Sequence, residues 1–136
     1  TIPGIPVVYY GDEFGMPGGN DPDCRRMMRF DDWNNREEAL FEKVAALNHL
    51  RRGNMALVYG DYIQLHVGEQ TLAYARKYFD TDVVVCINNS TEEQTLELDV
   101  TALSAKGYKA LFGKEYKLEG NKLSITLPAL TAEVLY

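Results

Sequence analysis

The sequence predicts a mainly β protein: an antiparallel β-sandwich over residues 54–136, preceded by a strand, a loop and a helix within residues 1–53. Three observations point there. From Met55 onward, apolar residues recur at every second position in short runs that turn residues interrupt. Before that point a longer run has helical period, with a capping residue in front and a glycine behind. At the start, Ile5-Pro6-Val7-Val8-Tyr9-Tyr10 is continuously apolar, as in a strand covered on both faces within an α/β architecture.

In chain order, that strand runs into the polar loop Gly11–Arg26, whose glycines at 11, 15, 18 and 19 mark turns. Met27–Trp33 is a mixed apolar and acidic connection. Asn35 with Glu38 three residues on has the form of a capping box, and a helix is expected over Arg36–Arg52. Leu40, Val44, Leu47 and Leu50 mark one face, with Phe41 beside them. Arg51 and Arg52 suit the negative end of the helix, and Gly53 supplies the stop. The expected strands are Tyr62–His66, Thr71–Tyr78, Asp82–Asn88, Gln94–Asp99, Tyr108–Leu111, Tyr116–Leu118, Lys122–Leu127 and Thr131–Tyr136. Turn residues separate them at 67–69, 79–81, 88–90, 105–107, 113–114 and 119–121. Short strands joined by tight turns build an antiparallel sandwich, and Leu123, Ile125 and Leu127 alternate with Ser124 and Thr126 so that one face is buried.

Composition narrows the function. A formal net charge of −6 argues against nucleic acid, which selects clustered Lys and Arg; Arg25-Arg26 and Arg51-Arg52 are isolated basic pairs. No apolar stretch is long enough to span a bilayer. A neutral, polyhydroxylated ligand fits this balance better. Cys24 and Cys86 lie far apart without Cys-x-x-Cys spacing, which favours two free thiols over a disulfide.

The segment Gly4-Ile5-Pro6-Val7-Val8-Tyr9-Tyr10-Gly11-Asp12-Glu13-Phe14-Gly15-Met16 resembles the eighth barrel strand of the α-amylase family of glycoside hydrolases. The loop after it, Gly18-Gly19-Asn20-Asp21-Pro22-Asp23-Cys24-Arg25, is most similar to the neopullulanase, cyclomaltodextrinase and maltogenic amylase group. Elsewhere the resemblance rests on the order of elements, a helix and then a small β-domain. At 136 residues the chain is too short for a whole (β/α)₈ barrel, which takes about 250. The resemblance therefore implies the C-terminal part of a larger enzyme. Residues 1–53 would close the catalytic barrel with its last strand, loop and helix, and residues 54–136 would form the all-β C-terminal domain. The implied activity is retaining hydrolysis of α-glucosidic bonds in starch, maltodextrins, pullulan or cyclodextrins.

Such a reaction needs two carboxyl groups about 5–5.5 Å apart. In the family these lie on earlier barrel strands whose motifs this sequence lacks, so no catalytic residue is expected here and the chain alone should be inactive. Asp12 and Glu13 are adjacent and would point opposite ways on a strand, so they cannot share one bond; Asp12 is expected to shape the turn and Glu13 to be held by polar partners. The resemblance makes Asp21 and Arg25 the substrate-binding candidates, on a sugar at the non-reducing side of the cut. A carboxylate accepts from vicinal hydroxyls and a guanidinium donates several N–H groups at once, although the two side chains could instead pair to stiffen the loop.

Other features carry less. His49 and His66 have no companion at ligand spacing, and Asp21-Pro22-Asp23 lacks the remaining ligands of a calcium loop, so neither a metal nor a cofactor is expected in this chain. Any calcium site would lie in other parts of the parent. The glycines at 15–19 lack the strand-to-helix context of a phosphate cradle, and Asn88-Asn89-Ser90-Thr91 reads as a glycosylation sequon or simply as a turn. Tyr59, Tyr62, Tyr74, Tyr78, Tyr108 and Tyr116 read as packing, and Trp33 as core.

The expected partner is an α-glucan oligosaccharide, with neither nucleic acid nor membrane. The alternative is a non-catalytic carbohydrate-binding or interaction module, which would show a row of exposed aromatic rings. Without barrel neighbours, residues 1 to 30 are expected to be disordered, displaced, or paired in a homodimer through the strand at 5–10. The sequence is compatible with both cytoplasmic and extracellular placement.

Overall fold

A computed structural model describes residues 1–136. They form two compact units: Gly4–Gly53, and Asn54–Tyr136 together with Thr1–Pro3.

In the first unit the buried strand expected at 5–10 does not form. Ile5 and Val7 are 91% and 87% exposed, and no strand includes them. The reason is pairing: a strand exists only where a neighbour completes its ladder, and nothing in this chain supplies one for residues 5–10. The path continues through 3₁₀ turns at Asp12–Phe14 and Asp23–Arg25 into helix α1, Asn35–Gly53.

The cap of α1 lies one residue earlier than the sequence suggested. Asn34 Oδ1 accepts the N–H groups of Arg36 (2.9 Å) and Glu37 (3.2 Å), and Glu37 Oε2 accepts the Asn34 N–H at 2.8 Å. The reciprocal pair is therefore Asn34 and Glu37, not Asn35 and Glu38. The Asn34 N–H and the Arg29 guanidinium (2.8 Å) hold the Glu37 carboxyl below its ordinary pKa.

The second unit opens with a short helix that the alternating pattern concealed: α2, Met55–Tyr59, capped by Asn54 Oδ1 on the Ala56 N–H at 3.0 Å. Seven strands follow: β1 Asp61–Val67, β2 Thr71–Tyr78, β3 Thr81–Asn88, β4 Gln94–Asp99, β5 Tyr116–Glu119, β6 Lys122–Leu127 and β7 Thr131–Leu135. They make two antiparallel sheets, ordered β1-β2-β3-β7 and β4-β6-β5. The expected strand at Tyr108–Leu111 is reduced to a single bridge, Ala110 to Leu135, with Lys109 and Tyr136 exchanging N–H···O bonds of 2.7 and 2.9 Å. The register of β1 on β2 shifts between Gln64 and His66.

The sheets pack face to face around Ala73, Ala75, Val84, Cys86 and Leu135 of the first and Leu96, Leu98, Leu123, Ile125 and Leu127 of the second. The first sheet is buried on its other side too. Val83, Val85 and Tyr74 are at most 3% exposed there, against α2, which contributes the fully buried Ala56 and Leu57. That two-sided burial explains why Val83-Val84-Val85-Cys86 does not alternate. Gly60 is obligatory between α2 and β1: a Cβ would sit 2.7 Å from the Lys77 carbonyl oxygen and closer still to that of Ala56.

Buried polar groups close the domain. Arg76, 1% exposed, donates from Nη2 (2.7 Å) and Nε (3.2 Å) to the Gly60 carbonyl and from Nη1 to that of Thr1 (2.9 Å), while Tyr74 Oη and Thr1 Oγ1 lie 2.6 Å apart. Thr1–Pro3 therefore belongs with the sandwich. Glu133 Oε1 accepts from Phe112 N and Val134 N (both 2.8 Å), and Oε2 from Lys114 N (2.7 Å). Asn88 Nδ2 reaches the carbonyls of Glu92, Leu127 and Pro128 at 2.8, 3.0 and 2.9 Å. Its burial leaves no route for glycosylation in the folded state, whereas Asn89, the first residue of the overlapping sequon, is exposed.

Both cysteines are free, Cys24 exposed and Cys86 buried, where loss of solvation pushes its thiol up to about 12. A neutral buried thiol is a poor nucleophile. An aromatic disulfide reagent at neutral pH should therefore label Cys24 quickly and Cys86 only after denaturant is added. Fast labelling of both in the folded chain would show that the β-domain core is open.

Candidate substrate-contact loop

The loop starts from a hydrophobic anchor. Gly11, at φ 92°, turns the chain into the Asp12–Phe14 turn, a left-handed conformation that favours glycine. Its N–H donates to Glu13 Oε2 at 2.7 Å, and the Gly15 N–H returns to the Asp12 carbonyl at 3.1 Å. Asp12 thus shapes the turn through its backbone, and Glu13 is held by a single local donor. Because a 3₁₀ turn replaces the strand, the two carboxylates stand about a third of a turn apart instead of on opposite faces.

Phe14, 1% exposed, stacks on Trp33 with centroids 4.9 Å apart and 22° between planes, and Trp33 meets Phe41 of α1 at 4.9 Å. The Arg29 guanidinium lies 5.4 Å above the Phe14 ring. Trp33 is thus part of the packing, in an aromatic stack whose partners lie too far apart in sequence for spacing to reveal.

Beyond Gly18-Gly19, the Asp23 N–H bonds to the Asn20 carbonyl at 2.8 Å and the Arg25 N–H to the Pro22 carbonyl at 2.9 Å. This tight turn brings Asp21 and Arg25 together. Arg25 Nε donates to Asp21 Oδ1 at 2.8 Å, with a second, closer contact from Nη2 to the same oxygen. Cys24 Sγ also approaches that oxygen at 3.8 Å. Both members of the pair keep 64% of their side-chain surface exposed, so the pairing leaves room for a ligand. The neighbouring pair is bidentate: Arg26 Nε to Asp23 Oδ1 at 2.7 Å and Nη2 to Oδ2 at 2.9 Å. Arg26 holds the Asp23 carboxyl below its usual range, and Asp23 raises Arg26 in turn. This second pair was missed in the sequence, although its i,i+3 spacing was the available signal.

The chemistry of the loop follows from this geometry. Two carboxylates, Asp21 and Asp23, are followed by two guanidiniums, Arg25 and Arg26, and each acid pairs with one arginine, an arrangement that recognises hydroxyl groups by donating and accepting together. It suits general acid catalysis poorly, since the Asp23 carboxyl is pushed down rather than up. His49 and His66 are separate, His66 Nε2 lying 2.8 Å from Thr71 Oγ1, and no group of His, Cys, Asp and Glu side chains could hold a metal ion.

Residues 60–135 match the family described as Alpha-amylase C-terminal domain. The chain is 35% identical to a cyclomaltodextrinase of Thermoanaerobacter pseudethanolicus, covering 90% of this chain and 21% of that protein. It is 36% identical to neopullulanase 2 of Thermoactinomyces vulgaris, covering 100% of this chain and 24% of that protein. Among solved structures, the Nostoc punctiforme debranching enzyme superposes with a TM-score of 0.86 at 36% identity, covering 99% of this chain and 28% of that one. The chain thus spans between a fifth and a quarter of the length of these two curated relatives.

Proposed function

This chain belongs to the Alpha-amylase C-terminal domain family, and from that premise we propose that it completes an α-glucan-cleaving enzyme. In that reading the enzyme hydrolyses α-glucosidic bonds in starch, maltodextrins, pullulan or cyclodextrins with carboxylates that lie outside these residues. The sandwich is its structural buttress. Residues 1–53 supply the end of the barrel, and the exposed side chains of Ile5 and Val7 are the surface that the rest of the barrel covers. Asp21 and Arg25 contact a sugar on the non-reducing side of the cleaved bond, the carboxylate accepting from hydroxyls while the guanidinium donates to them.

One observation carries the reading. The similarity to the cyclomaltodextrinase and the neopullulanase covers 90% and 100% of this chain, so it extends beyond the domain matched at 60–135 into the segment that holds the Asp21–Arg25 pair.

The test is Asp21→Ala in the whole enzyme, assayed on short maltodextrins. Losing a charge-assisted contact worth roughly 1.5–3 kcal/mol should lower kcat/KM by about ten- to a hundredfold. An unchanged KM and turnover would remove Asp21 from the site. In parallel, the 136-residue chain alone should release no reducing sugar from soluble starch; release in proportion to its concentration would place catalytic groups within it.

A further inference from the structure

The β2–β3 hairpin displays aromatic rings that the proposed buttress role does not use. Its turn is two residues, Phe79-Asp80, between the paired Tyr78 and Thr81. Phe79 has φ 53°, a left-handed conformation that β-turns ordinarily assign to glycine or asparagine, and it is 78% exposed. Neither turn chemistry nor burial accounts for a phenylalanine there. Its ring meets Tyr78 edge-on, with centroids 4.7 Å apart at 82°. Tyr78 in turn lies 6.1 Å from Tyr59, itself 66% exposed, so the row extends to the end of α2. The close approach at Gly60, between the Ala56 and Lys77 carbonyls, sets Tyr59 beside that hairpin. In the sequence Tyr59 and Tyr78 read as packing, and the structure turns Tyr59 outward.

We propose that Tyr59, Tyr78 and Phe79 form a stacking surface for an α-glucan chain, a second carbohydrate contact made by residues other than Asp21 and Arg25. The rings are inclined to one another by 44° and 82°, so the patch offers separate faces, chiefly those of the exposed Tyr59 and Phe79, and each aromatic face can meet the apolar C–H face of one pyranose. The rim supplies hydrogen-bonding groups for sugar hydroxyls: Asp61, Asp80 and Thr81 are exposed, and the two tyrosines carry their own hydroxyls. Exposed acids on a chain of net charge −6 disfavour an anionic ligand and suit a neutral one. The choice of an α-linked glucan rests on the function proposed above; the platform rests on the rings.

The experiment is an amide ¹H–¹⁵N titration of the 136-residue chain with maltoheptaose, and with cellohexaose in parallel. Maltoheptaose should shift amides at 59–62 and 77–81. Phe79→Gly should weaken that binding about tenfold, the scale of one lost ring contact, while keeping or raising Tm because glycine relieves the positive φ. Tyr59→Ala should weaken it as well, and Asp21→Ala should leave these shifts intact. Four outcomes overturn the proposal: no shifts at these amides, shifts that survive both aromatic substitutions, an equal response to cellohexaose, or sugar-independent, concentration-dependent broadening that Phe79→Gly abolishes, which would assign the patch to a second copy. If Asp21→Ala leaves the whole enzyme's kinetics unchanged while these shifts persist, the loop assignment fails and the platform stands.

Discussion

Glu133→Ala is expected to destabilise the β-domain by about 3 kcal/mol, because truncation strands three backbone donors at roughly 1–3 kcal/mol each and part of that loss is recovered by water. The carboxylate is fully buried and is shared between the N–H groups of Phe112, Lys114 and Val134. Two of those donors lie in the irregular segment between β4 and β5, just past residues 109–111, which bond to the β7 backbone themselves, so the side chain supplies acceptors where that pairing ends. Urea unfolding followed by far-UV circular dichroism measures the loss, and for a domain of this size it corresponds to about 15 °C in Tm. Glu133→Gln keeps an acceptor for Phe112 and Val134 but turns an amide N–H toward Lys114, so it should fall between the two. A change below about 1 kcal/mol for the alanine variant would mean that the loop finds other acceptors at no cost.

Asn88→Asp is expected to cost as much or more, about 3–5 kcal/mol at neutral pH, because a buried carboxylate would replace a buried donor. Nδ2 of Asn88 serves three carbonyls, those of Glu92, Leu127 and Pro128, while Oδ1 accepts from Ser90 N at 2.9 Å and Ser90 Oγ at 2.7 Å. In the variant, an oxygen would face those carbonyls at a site 1% exposed. Desolvation and repulsion favour the neutral acid there, so the folded-state pKa of the introduced carboxyl lies above its unfolded value of about 3.9. The sign follows: the deficit against the parent is greatest above the folded pKa and shrinks as pH falls toward about 3.9. Unfolding both proteins in urea at several pH values and comparing them at each one measures this. A deficit that stays constant or grows on acidification would refute the assignment of Asn88 as a donor to those carbonyls.

How far the sequence speaks depends on whether a pattern is local. Thr71–Tyr78, Gln94–Asp99 and Lys122–Leu127 are strands with the limits expected from alternation and turn residues, and Leu123, Ile125 and Leu127 do face the core. The helix was equally legible, except that the capping pair belongs to Asn34 and Glu37, one residue before the pair that fitted the same spacing. Failures came where the outcome depended on partners distant in the chain. Residues 5–10 read as a buried strand because the side chains record an environment, and nothing in these residues provides one. Tyr108–Leu111 reads as a strand but retains one bridge, with Tyr108 N–H donating to the Tyr116 hydroxyl at 2.6 Å. In the candidate site, the resemblance singled out Asp21 and Arg25 while their chemistry left open both pairing and sugar contact, and the structure shows the pair with both side chains still exposed. The aromatic row of Tyr59, Tyr78 and Phe79 was illegible because it needs the α2–hairpin contact and a positive φ that no residue pattern announces.

The irregular rims of the two sheets carry a consequence for aggregation. The outer margin of β7 is occupied near its end by residues 109–111, β1 breaks step between Gln64 and His66, β4 presents Glu97 and Asp99, and β5 offers only four residues. A foreign strand therefore meets an occupied, kinked, charged or truncated margin at every place where it might append itself. Templated growth of the kind that ends in fibrils therefore finds only short or interrupted starting ledges on this sandwich.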